Sequence, residues 1–204
     1  MQEIFYEESA EIINKTSGKV KYILCNIMSI ISFILLAVWI LFVVIGYEFS
    51  NVLIDIILLL IPTVLFIVFG IFMAKLKNKF YVDFDYTFVS GSVRFSKVIM
   101  NKDRESIVQF ETTDIEKLGY YGSNLYSKYE NSPSVIKEVL TLNTQPNYDK
   151  DFYYIVVNLE GQKYLYILEC TKTFIVNILK YSSKTIMDEE FIKAITQARK
   201  NKGE

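Results

Sequence analysis

Histidine is absent from this chain of 204 residues. That removes the commonest general base and the commonest metal ligand near neutral pH. Cysteine is scarce: Cys25 lies in a long apolar run and Cys170 at the end of a predicted strand. No paired-cysteine spacing suits zinc, and a bridge between positions so placed is geometrically implausible. The chain therefore fits a reducing compartment. Neither charge sign is in surplus, with 22 Lys and Arg against 23 Asp and Glu. There is no global basic field, which argues against nucleic acid as a partner. A nucleophile with a base, a convergent carboxylate pair and a phosphate-cradling glycine loop are all missing. Asp83 and Asp85 share a strand face but have no evident third partner, and they read as solvent-exposed. The expectation is a protein that is not an enzyme and carries no cofactor and no metal.

What is present is apolar length. Tyr22–Ile45 and Val52–Ala74 are two hydrophobic runs separated only by Gly46–Asn51. Each reaches the roughly 20 apolar residues that a membrane-spanning helix needs. The first run is too long for a signal-peptide core, and no A-x-A-like cleavage site follows it. Lys15, Lys19 and Lys21 precede the first run, and Lys75, Lys77 and Lys79 follow the second. The turn carries only Glu48, with Asp55 close behind. Lysine and arginine favour the cytoplasmic side. Both termini are thus expected to be cytoplasmic, in a multi-pass protein of the bacterial inner membrane. Asp55 reads as interfacial, Pro62 as a kink, and Gly70 as a point of close helix approach.

The chain divides into an arm (1–18), a hairpin (19–78), a domain (79–187) and a tail (188–204). The arm, with Ile4, Phe5, Ile12 and Ile13 among its glutamates, reads as a short helix or a frayed end. After Lys79 the apolar period becomes two. Phe80, Val82, Phe84, Tyr86 and Phe88 alternate with polar neighbours, which predicts a half-buried strand. Ser90-Gly91 is a turn signal into a strand at Ser92–Ile99. Strands follow at Arg104–Thr112 and Asp114–Tyr121, then a polar loop over Gly122–Lys137. A strand at Val139–Thr144 and a hairpin of Phe152–Glu160 with Gln162–Cys170 come next. Thr171–Tyr181 has helical spacing with a threonine cap, and Asp188–Lys200 reads as a last helix. The expected class is α+β: a two-helix transmembrane hairpin, then about seven strands in meander order closing into a barrel capped by a helix.

This order resembles a pleckstrin-homology-like domain. The chain also looks like a bacterial two-span family that carries such a domain after its hairpin. The residues that carry the likeness are Tyr6-Glu7, the run Asp85–Phe95 (DYTFVSGSVRF), Lys97–Arg104, and Ile178-Leu179-Lys180-Tyr181. It covers most of Met1–Met187. Asp103 and Glu105 interrupt the basic stretch around the second hairpin, where the family pattern is richer in Lys and Arg. The resemblance implies a fold and no activity.

Two candidate surfaces emerge. Lys75, Lys77, Lys79, Lys97, Lys102 and Arg104 could meet anionic lipid headgroups, at about 1 kcal/mol per cation close to the surface. Tyr120, Tyr121, Tyr126 and Tyr129 crowd one region and suit a partner surface, since tyrosine is enriched at interfaces. The functional expectation is a membrane-anchored binding or scaffolding module for a protein partner or a second copy. The alternative is a small accessory subunit of a membrane transport or envelope complex that acts through its spans.

Overall fold

The computed structural model describes residues 4–46, 52–182 and 186–193. The expected turn residues Tyr47 and Glu48, and the last helix beyond Lys193, lie outside them. The chain forms two compact units, one of residues 14–82 and one of residues 1–13 with 83–204.

The first unit is the hairpin of α1 (Lys15–Gly46) and α2 (Val52–Leu76). Both helices are long and apolar enough to cross a membrane, each with a mean hydropathy of 3.0. Ile34, Leu41, Val44, Ile57, Leu60 and Val68 are exposed around them. A soluble core helix would bury such side chains, so the surrounding medium that suits them is lipid. The interface between the two helices is small and polar. Ser29 Oγ donates to the Gly70 carbonyl at 2.9 Å, and Ser32 Oγ donates to the Phe66 carbonyl at 2.8 Å. Both serines are buried. Gly70 faces Phe33 so closely that an added Cβ would stand 2.9 Å from the ring. Asp55 is buried in the first turn of α2, where a helix N-terminus favours a carboxylate. Gly70→Ile is expected to wedge the helices apart at a cost of about 1–3 kcal/mol. Titration of the full-length protein with SDS should then show helix loss at a lower detergent fraction than in the parent chain.

Among the described residues the second unit holds eight strands in two four-stranded sheets. The first sheet has the order β1 (Phe5–Ala10), β2 (Val82–Val89), β3 (Ser92–Ile99) and β4 (Asp103–Glu111). The second has the order β5 (Ile115–Tyr120), β7 (Asp151–Leu159), β8 (Gln162–Cys170) and β6 (Val135–Val139). The expected turns are present. Ser90-Gly91 and Glu160-Gly161 both have positive φ at both residues, as two-residue hairpin turns require. Helix α4 (Lys172–Tyr181) is capped by Thr171, whose side chain accepts from the Phe174 N–H. Its Phe174, Ile175 and Ile178 are fully buried. Phe174 packs on Tyr86, which meets Phe95 edge-on at 5.5 Å.

Several expectations change. The arm is a strand and not a helix: Phe5 pairs with Val89 and Ala10 with Phe84, antiparallel. Six residues are too few for a stable isolated helix, whereas β2 offers them a full ladder of backbone partners. The hairpin is therefore inserted between two neighbouring strands of one sheet, and the domain begins before the hairpin as well as after it. The polar loop contains α3 (Asn124–Glu130), capped by Ser123, and then β6. The strand expected at Val139–Thr144 lies earlier, at Val135–Val139, and runs parallel to β8. A parallel edge strand breaks the meander order, and the two sheets do not close into a full barrel.

Asp83 and Asp85 are buried, contrary to the exposed reading. The arm covers them. Asp85 accepts from Ser9 Oγ and from Arg104 Nη2, both at 2.5 Å. Asp83 accepts from the Ile12 N–H at 2.8 Å. Glu8, on the same arm, accepts the Thr171 N–H at 3.0 Å and the Tyr6 hydroxyl at 3.3 Å. Burial raises the Glu8 carboxyl above its ordinary value of 4.5, and these hydrogen bonds only partly offset it. A carboxyl raised in the folded state stabilises most when protonated, below its unfolded value. That stability fades as pH rises through the folded value. Glu8→Gln keeps the acceptor without the charge. It is expected to raise the melting midpoint at neutral pH by about 1–3 °C, with the difference vanishing below the unfolded value. Thermal scans of the detergent-solubilised full chain across pH would measure this.

Candidate partner-binding site

The four predicted tyrosines lie around one junction of β5, α3 and the C-terminal segment 186–193. The junction is built on β5. Leu118 forms a parallel bridge with Met187, and the Asp188 N–H donates to the Leu118 carbonyl at 2.8 Å. The C-terminal segment thus touches the edge of β5 at one bridge before turning helical at Glu189. Gly119 makes room for it: an added Cβ would stand 2.7 Å from Asp188 Cβ and 2.9 Å from the Tyr154 ring. Asp188 is buried and accepts from Ser123 Oγ at 2.6 Å and from the Tyr154 hydroxyl at 3.0 Å. It also accepts from the Glu190 N–H, as the expected cap of the last helix. Phe191 is fully buried, edge-on to Tyr120 at 4.9 Å and to Tyr153 at 6.0 Å.

The tyrosines divide by burial. Tyr121 is exposed at 47% and rests on Tyr126 and Phe152. Tyr126 is buried, with its hydroxyl donating to Glu130, so it supports the surface from beneath and does not form it. Tyr120 and Tyr129 are half-buried. Burial raises the phenols of Tyr120, Tyr126, Tyr129 and Tyr154. All four stay neutral hydrogen-bonding groups at physiological pH. Beside them opens a cavity of about 560 Å³. Lys117, Lys128 and Lys193 line it with Glu189, Leu125 and Met187. Sequence reasoning missed Gly119, Asp188 as a buried anchor, and Phe191. A glycine inside a strand pattern was the one available signal, because such a glycine marks close backbone approach.

Within the second unit the basic candidates do not form one patch. Lys97 pairs with Glu105 and Arg104 with Val98, so Lys97 and Arg104 point to opposite faces of the sheet. Arg104 is bound to Asp85, and to Glu7 at 3.4 Å. Lys102 is exposed in the β3–β4 turn. In the hairpin unit Lys77 Nζ donates to Asn26 Oδ1 at 2.7 Å and lies over the Tyr22 ring, while Lys75 and Lys79 are exposed. Among the described residues no group of three or more His, Cys, Asp or Glu side chains is placed to hold a metal ion.

The second unit thus joins an antiparallel sheet, a mixed sheet and a capping helix. The chain belongs to the bacterial PH-like domain family (DUF6106), whose model matches residues 3–188. That match includes the arm and the hairpin, in keeping with β1 as part of the domain. No curated protein and no solved structure matches the chain.

Proposed function

We propose that the protein is a two-pass protein of the bacterial inner membrane that displays its PH-like domain as a non-catalytic binding or scaffolding module. The observation that carries this reading is the β5 edge. It engages Met187 and Asp188 through the main chain, with Phe191 of the helical stretch that follows as a buried aromatic anchor and an exposed aromatic, Tyr121, alongside. Adding a strand to a sheet edge is a general way to bind peptides, in which backbone bonds supply affinity and side-chain pockets supply specificity. The partner is a protein segment or a second copy of the chain. The lysines at both ends of the hairpin favour a cytoplasmic domain. Pairing of β1 with β2 requires both ends of the hairpin to lie on one side of the membrane. Headgroup contact through Lys75, Lys79 and Lys102 is a weaker reading, since within the second unit Lys97 and Arg104 face opposite ways and Arg104 is tied to Asp85.

A photocrosslinking residue at Tyr121 or Lys128 in the full-length protein, activated in native membranes, tests the reading. A discrete adduct is expected, with a doubled mass marking self-association. Adducts from probes at Val68 but none from the domain would move the function into the spans, as an accessory subunit of a membrane complex requires.

A further inference from the structure

The C-terminal segment is held at two points, one on each face of β5. Gly119 pairs with Tyr154 and Tyr120 with Tyr153, and successive residues of a strand face opposite sides. Asp188 meets the first pair and Phe191 the second. The segment crosses the strand edge between these two residues by turning helical, and the Ile192 N–H donates to the Asp188 carbonyl at 3.0 Å. Each point is selective. Asp188 Oδ2 accepts two hydroxyls, from Ser123 at 2.6 Å and from Tyr154 at 3.0 Å, while Oδ1 accepts the Glu190 N–H at 3.2 Å. Asparagine would put N–H groups where an acceptor is needed, and glutamate is a methylene too long. The Phe191 slot is apolar: the ring is fully buried against the rings of Tyr120 and Tyr153.

The rest of the attachment is slight. Among the described residues the main chain of the segment meets β5 at one bridge. The contact from Asn124 Nδ2 to Glu190 Oε1, at 2.7 Å, is exposed. A stretch held by two side chains and one bridge opens at a lower free energy than a full ladder such as β7 with β8. Between the two anchors stand Glu189 and Glu190, which share their cavity with Lys117 of β5 and Lys128 of α3. An acidic stretch thus lies against lysines of the fixed part of the fold.

We infer that the β5 edge recognises an acidic segment of the pattern apolar–Asp–x–x–Phe, whose aspartate starts a helical turn. Residues 187–191 (MDEEF) are then the chain's own occupant of a site that a partner segment of the same chemistry takes in trans. The inference rests on the reading of the β5 edge as the partner surface. Partner and tail compete, so binding in trans releases the tail. The probe is a fluorescent synthetic peptide of residues 186–193 (IMDEEFIK), added to full-length protein in detergent. The parent chain, with its site occupied, is expected to bind it weakly. Phe191→Ala empties the aromatic slot, and Asp188→Ala with Phe191→Ala empties both; each should bind the peptide about tenfold or more tightly than the parent. Asp188→Ala or Phe191→Ala in the peptide, or Gly119→Val added to the protein, should remove that gain. The unsubstituted parent supplies a second readout, in which excess peptide speeds protease cutting near residues 182–193. Cutting at an unchanged rate, or binding indifferent to the peptide's aspartate and phenylalanine, would overturn the inference. The Tyr121 photocrosslink separates the two failures. An adduct retained while the peptide fails removes this mode of recognition alone, and loss of both removes the partner surface beneath it.

Discussion

Gly119→Val is expected to eject the C-terminal segment from the edge of β5. The steric conflict is with Asp188 Cβ, fixed to the main chain, at 2.7 Å and with the buried Tyr154 ring at 2.9 Å from the added carbon. Neither can withdraw alone. Asp188 is held by its own N–H to Leu118 and by its carboxylate to Ser123 and Tyr154. Valine suits a strand intrinsically, so the substitution acts through the segment that covers β5 and not through β5 itself. Once the segment leaves, Phe191 leaves its site between Tyr120 and Tyr153. Loss of a buried phenylalanine costs about 3–5 kcal/mol, and overpacking about 1–3. Limited proteolysis of the full chain should cut near residues 182–193 in the variant well before the parent. Phe191→Ala should give the same cleavage pattern by a different route. A variant that resists protease as the parent does, with an unchanged midpoint, would disprove the role assigned to Gly119.

Glu169→Ala should be nearly as damaging, and its effect should be felt at a distance along the chain. The side chain is fully buried and serves three donors: Thr141 Oγ1 at 2.5 Å, Asn143 Nδ2 at 2.7 Å and the Asn147 N–H at 2.8 Å. Alanine leaves all three without their acceptor. A buried unsatisfied group such as the Thr141 hydroxyl costs about 1–3 kcal/mol, and water reaching the half-buried Asn143 and Asn147 would recover part of their loss. A net loss of about 3–5 kcal/mol is expected. The same asparagines hold Glu11 and Ile13, so the connection between β6 and β7 and the arm should loosen together. Hydrogen exchange should show deprotection at residues 141–147 and across β1, while β7 stays protected. Glu169→Gln should fall between, because its amide keeps one acceptor but presents N–H groups to donors. Parent-like exchange over 141–147 in the alanine variant would remove Glu169 from this role.

The parts of the fold that were legible in the sequence are those with local signals. The hairpin follows from apolar length, the β2–β3 and β7–β8 hairpins from Ser90-Gly91 and Glu160-Gly161, and α4 from its spacing and Thr171 cap. The misread parts depend on partners far along the chain. Phe5–Ala10 carries no turn signal that points to Phe84–Val89, because the turn is a membrane hairpin. Strand β6 joins β8 in parallel, and a parallel pair has no short connecting loop to betray it. Asp83 and Asp85 were assigned to solvent by strand alternation, which cannot anticipate an arm lying over them. At the site, four tyrosines were expected to share one surface, and Tyr121 is exposed. Tyr126 is buried, which the sequence does not signal, because four tyrosines in one stretch look alike until α3 turns one of them inward.

Placing a membrane hairpin between β1 and β2 also gives the chain an order of assembly. Strand β1 is synthesised first and has no partner until β2 emerges, more than seventy residues later. Neither can complete the first sheet unless both spans have gone through and returned. A chain threaded through only one span would have β1 and β2 on opposite sides of the membrane. It would present β2 as a bare sheet edge, with Asp83 and Asp85 uncovered, in a form that chaperones and proteases recognise. In the two-pass arrangement proposed above, the sheet closes only in molecules whose two spans have crossed and returned.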